Sequence, residues 1–263
     1  MKNLIVFGCS FTEGGGFYRE EVNQLYKDKL NIHYDRFNYS DKIYPGILAK
    51  KLNLNLTDFS KCGTGWPRIF RKFWEYYGDV KYKCEDDLFI FEIPGSWYRL
   101  EYFSNEFNQH LIVNVNDING ETLAINDDYK KNHAVWKDDV AKKYKHLQEH
   151  MNEHFSHWWR ADKVMDKHTH QIITFLNFLE NQNIKFILLP TVQDNTFWST
   201  LKQFNLDKHC VDFEGTNDFF EFINFKVKLT INDELKCDID SHIGFEGYKQ
   251  ISEIIYESIN NRW

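Results

Sequence analysis

Three side chains of this 263-residue chain could combine into one piece of chemistry, and they lie at its two ends. Ser10 stands in Gly8-Cys9-Ser10-Phe11-Thr12, directly after the apolar run Leu4-Ile5-Val6-Phe7. His242 stands in Asp240-Ser241-His242-Ile243-Gly244, just ahead of an apolar-periodic C-terminal segment. A serine hydroxyl is a weak nucleophile until a neighbouring base takes its proton. An imidazole can be that base, and a carboxylate can hold it in the useful tautomer. Asp240 is the first choice for the carboxylate, because residues two apart in extended chain point to the same side. Asp238 has the same parity and is the second choice. Such a set would transfer an acyl group through a serine ester. Taken singly, Ser10 also reads as a helix or loop cap and His242 as a turn histidine; the order of the three carries the catalytic reading.

Those residues need a scaffold. Leu4–Phe7, Leu52-Leu54-Leu56 running into Asp58-Phe59, Leu88–Phe91 and Ile184–Leu189 are short apolar runs of the kind found in strands covered on both faces. Helical spacing falls between them. Ser40 is placed to cap a helix carrying Ile43, Ile47 and Leu48, and Ile172, Phe175, Leu176 and Leu179 form a second apolar face. Tyr248, Ile251, Ile255 and Ile259 form a third. Alternation of this kind predicts a single three-layer α/β/α domain over residues 1–263, with a mostly parallel sheet. Residues 100–165 interrupt it. They hold the alternating piece Leu111–Val115, the turn pair Asn119-Gly120 and a polar helical stretch, and read as an insertion that roofs the site.

The segment around Ser10 resembles the first block of the SGNH/GDSL hydrolase superfamily, Gly-Asp-Ser-x-Thr, with Cys9 in place of the aspartate. Asp58-Phe59-Ser60-Lys61-Cys62-Gly63-Thr64 resembles the second block, with Gly63 as its glycine. The Asp240–His242 stretch resembles the last block, although Ile239 stands where an aspartate is often found. The third block departs most: Phe91-Glu92-Ile93-Pro94-Gly95-Ser96-Trp97-Tyr98-Arg99 offers no asparagine. The resemblance implies a flavodoxin-like fold and a serine esterase acting on an acyl or acetyl ester. It implies an oxyanion hole built from the amides of Ser10 and Gly63, with Ser96 as a third donor. Arg99 is read either as a binder of an anionic substrate group or as a surface salt bridge. An acyltransferase with the same triad, or an inactive binding module on the same fold, are the alternatives.

Bulk properties narrow the partners. A net charge of −7 without a long basic run argues against nucleic acid. Aromatic residues make up 17% of the chain, more than one core ordinarily needs, so some are expected to line a cleft. Stacking on a sugar ring would suit them, which favours a small-molecule or glycan ester as substrate. Five cysteines (Cys9, Cys62, Cys84, Cys210, Cys237) include no CxxC pair and are expected as reduced thiols in the cytoplasm. No apolar stretch has membrane-spanning length, so no membrane partner is expected. No cofactor is implied. His146, His150 and His154, with Glu149, raise a rival zinc reading, set aside in favour of a solvated helical face. His168 and His170 are expected at a helix start. Gly14-Gly15-Gly16 lacks the Lys-Ser/Thr of a phosphate loop and reads as a loop at the mouth of the cleft.

Overall fold

The computed structural model describes residues 1–14, 41–61, 63–95, 99–105, 109–115, 122–127, 149, 152–153, 160–192, 194–213, 215, 219, 222 and 243–263. Four strands form one parallel sheet: β1 (Asn3–Phe7), β2 (Asn55–Asp58), β3 (Asp87–Ile93) and β7 (Lys185–Pro190), in the order β2-β1-β3-β7. Side chains alternate across a strand, so each strand feeds two cores. Leu4, Val6, Leu88, Ile90, Ile187 and Leu189 face one way. They meet helices α2 (Tyr44–Leu52) and α6 (Phe245–Asn260). Ile5, Phe7, Phe89, Phe91, Phe186 and Leu188 face the other way. There they meet α3 (Trp66–Asp79), α4 (Ala161–Asn181) and α5 (Asn195–Gln203). Two packed faces make this a mixed α/β structure with three layers.

The second core is built from rings. Phe73 on α3 lies between Phe89 (5.7 Å) and Phe175 (4.8 Å), and Phe91 meets Phe175 edge-on at 5.3 Å. Among the described residues many rings pack inside in this way, where edge-to-face contacts add to burial.

A second sheet of three antiparallel strands follows β3: β4 (Arg99–Ser104), β5 (Gln109–Val115) and β6 (Thr122–Asp127). The hairpin expected from Leu111–Val115 is present as β5–β6, while Asn119-Gly120 lies outside the described residues. β4 was not expected. It is fastened to α3 by Arg71, whose guanidinium makes two bonds to Glu101, at 3.0 and 2.7 Å.

Three local expectations are corrected. Leu52 ends α2 and does not open β2, because Asn53 turns the chain through a left-handed φ of 55° first. α2 starts at Tyr44 behind Ile43, with Pro45 in its first turn, so Ser40, which lies outside the described residues, is not its N-cap. His168 and His170 sit within α4 rather than at its start, since the helix begins at Ala161. Among the described residues no helix is long and apolar enough to cross a membrane. The described cysteines Cys9, Cys84 and Cys210 are free thiols.

Candidate active site

The strand order reverses direction between β1 and β3. Chain leaving β1 goes out to β2 on one side, and chain leaving β2 returns to β3 on the other. In open parallel sheets the crevice beyond the carboxyl ends of such strands is where ligands bind. Ser10 opens a four-residue helix, α1 (Ser10–Glu13), three positions past the end of β1. Gly14 closes that helix with a φ of 77°. Ser10 is itself buried, at 7% exposure. Cys9 Sγ lies 3.9 Å from its hydroxyl.

The loop after β2 is pinned to the same turn. Lys61 N–H donates to the Gly8 carbonyl at 3.0 Å, and the Thr64 hydroxyl lies 3.2 Å from that oxygen and 2.7 Å from the Lys61 carbonyl. Between them Gly63 has φ 79°, a left-handed conformation that side chains other than glycine rarely adopt. Arg99, the first residue of β4, donates from Nη1 to the Thr64 carbonyl at 3.2 Å, which fixes its guanidinium beside this loop.

The C-terminal helix reaches the turn as well. Ile243 is fully buried in the cluster against which Phe11 packs, and Gly244 precedes α6. Tyr248 Oη donates to the Phe11 carbonyl at 2.9 Å. Ser10, Gly63 and Arg99 thus belong to segments that touch one another. Ser96, Asp238, Asp240 and His242 lie outside the described residues, as do His146, His150 and His154.

One participant was not foreseen. Glu92, in the last turn of the β3 zigzag, is fully buried. It accepts from Cys9 N–H at 2.8 Å, from the Cys9 thiol at 2.7 Å and from the Thr12 hydroxyl at 2.5 Å. The Thr12 hydrogen is thereby used, so the Tyr44 hydroxyl, 2.9 Å away, donates to the Thr12 oxygen. Burial, with the Glu92 charge next, holds the Cys9 thiol and the Tyr44 phenol well above their ordinary pKa values. Both therefore keep their protons and serve as donors. Cys9 is a packed, protonated thiol under the turn.

The signal for Glu92 was present in the sequence. It stands in Leu88-Phe89-Ile90-Phe91-Glu92-Ile93, a run apolar enough to be buried on both faces. A carboxylate at such a position must find several donors to be tolerated. Among the described residues no group of three or more His, Cys, Asp or Glu is arranged to hold a metal ion. Compared with protein-family models and with curated proteins, the sequence matches none.

Proposed function

We propose that this chain is a serine esterase of the SGNH type, acting on an acyl or acetyl ester. Ser10 attacks the ester carbonyl, His242 takes its proton and returns it to the leaving alcohol, and Asp240 orients the imidazole. The amides of Ser10 and Gly63 receive the developing oxyanion, with Ser96 as a further donor; each such donor contributes about 100- to 1,000-fold in rate. Arg99 offers a cation to an acidic group of the substrate. An acetylated carbohydrate is the preferred substrate class.

The observation that supports this reading is the convergence of two distant segments on the turn that carries Ser10. The loop after β2 bonds to Gly8, and Tyr248 of the C-terminal helix bonds to Phe11, on either side of Ser10. Treatment with a fluorophosphonate should label wild-type protein at Ser10. Hydrolysis of short p-nitrophenyl esters should fall by a factor on the order of 10,000 or more in Ser10→Ala. Equal rates for the two proteins would end the esterase reading.

A second reading is favoured by one observation. Ser10 is only 7% exposed, which suits a non-catalytic binding module on the same fold. Folded wild-type protein that resists the fluorophosphonate would support the module.

A further inference from the structure

We propose that Glu92 is the positioning residue of the Ser10 turn: held under it by β3, its carboxylate grips the residues on both sides of Ser10 and so sets the direction of the hydroxyl. This inference rests on reading Ser10 as the nucleophile.

The argument starts from parity. Glu92 points to the same face as Leu88 and Ile90, into the layer that contains α2 and α6. At that face a carboxylate has no solvent and must be satisfied by protein donors. Its donors come from a stretch of four residues, Cys9 to Thr12, that contains Ser10. Oε2 takes the Cys9 N–H and the Thr12 hydroxyl, and Oε1 takes the Cys9 thiol. Three bonds that bracket Ser10 and Phe11 leave their backbone little freedom. Tyr44 extends the chain of hydroxyls to α2, which ties the turn to the helix layer as well as to the sheet.

Gly8 shows how tight the arrangement is. A Cβ there would stand 2.6 Å from Glu92 Oε2 and would run into the Thr12 side chain. The backbone can lie this close to the carboxylate only without a side chain. A carboxylate that merely filled space would not need a glycine, a thiol and a hydroxyl arranged around it. Charge-assisted bonds of this type are shorter and stronger than neutral ones, which suits a positioning role.

The test has two arms. The S–H stretching band of Cys9, identified by its loss in Cys9→Ala, should lie at low frequency in the wild type and move up in Glu92→Gln, because an amide oxygen is a weaker acceptor. A band that does not move overturns the proposal. In the second arm, labelling of Ser10 by a fluorophosphonate should slow about 100-fold in folded Glu92→Gln, the loss expected when a reacting atom is displaced by about an ångström. The same loss is expected in Thr12→Val, with the rate restored in Thr12→Ser. Unchanged labelling in Glu92→Gln, or equal rates for Thr12→Val and Thr12→Ser, overturns the proposal. If Glu92→Gln does not fold, the labelling rates of Thr12→Val and Thr12→Ser decide. If wild-type Ser10 is not labelled at all, the esterase reading fails, and the infrared arm alone decides whether Glu92 holds the turn.

Discussion

Strand β3 carries one buried acid near each end, and the two are used differently. Asp87, at the amino end, is 3% exposed and accepts from the Asn3 side chain at 2.7 Å and from the Tyr76 hydroxyl at 2.7 Å. Its partners are side chains of β1 and α3, elements that are already paired or packed. Burial first, and then the Asp87 charge, lift the nearby Cys84 thiol to about 12. Glu92, at the carboxyl end, is spent on the turn after β1, and one of its donors is a backbone N–H. The first acid joins framework to framework. The second holds a short segment that the regular hydrogen bonding of the sheet does not reach. Strand ends of a parallel sheet are not equivalent, since loops at the carboxyl ends face the crevice.

Replacement of each acid should separate the two roles. The largest effect is expected from Glu92→Leu, which leaves the Cys9 N–H and one hydroxyl of the Thr12–Tyr44 pair buried without an acceptor, at about 1–3 kcal/mol each. Chemical denaturation should show a loss in that combined range. A variant as stable as the wild type would mean that the cluster is no stronger than ordinary apolar packing.

Next comes a test on the pH axis, which separates the carboxylates from a buried histidine. Burial holds the His168 imidazole on α4 down to about 4, against an ordinary value of 6.5. The unfolded chain takes a proton as pH falls through 6.5, while the folded chain does not until about 4. Stability should therefore be flat above pH 6.5 and decline toward pH 4, by roughly 2–3 kcal/mol in all. His168→Leu should flatten that interval, and any decline left in it then belongs to the acids. Persistence of the full slope in His168→Leu would remove histidine from the account.

The smallest effect is expected from Asp87→Asn, which keeps one of the two acceptor oxygens for the Asn3 amide, while the Tyr76 hydroxyl can turn to accept from the new amide N–H. A loss of about 1 kcal/mol is expected by denaturation, with fluorophosphonate labelling of Ser10 unchanged. Loss of labelling without loss of folded protein would break the comparison, because it would give the framework acid a role in the site.

The layers of the fold were legible in the residues. Leu4–Phe7, Leu88–Phe91 and Ile184–Leu189 read as strands, and all but Ile184 lie in β1, β3 and β7, because strands buried on both faces need continuous apolar runs. The faces Ile172-Phe175-Leu176-Leu179 and Tyr248-Ile251-Ile255-Ile259 read as helices for the same reason at helical spacing, and both are buried. β4 was missed: Arg99–Ser104 mixes charged and aromatic residues, and its order comes from pairing with β5 and from the Arg71–Glu101 contact. Of the candidate site, the turns that carry Ser10 and Gly63 were legible in the sequence. Glu92 was not, because an acid in an apolar run shows its role only through donors some eighty residues away in the chain.

The sequence by itself determined which segments are strands and helices, because periodicity and burial are local properties of residue type. It also placed Ser10 just past a strand end. Only the tertiary structure decided that β3 lies beside β1, which sets Glu92 beneath Cys9 and Thr12 some eighty residues away in the chain. Strand order depends on how crossovers pack over the sheet, a long-range balance that no stretch of residues encodes alone.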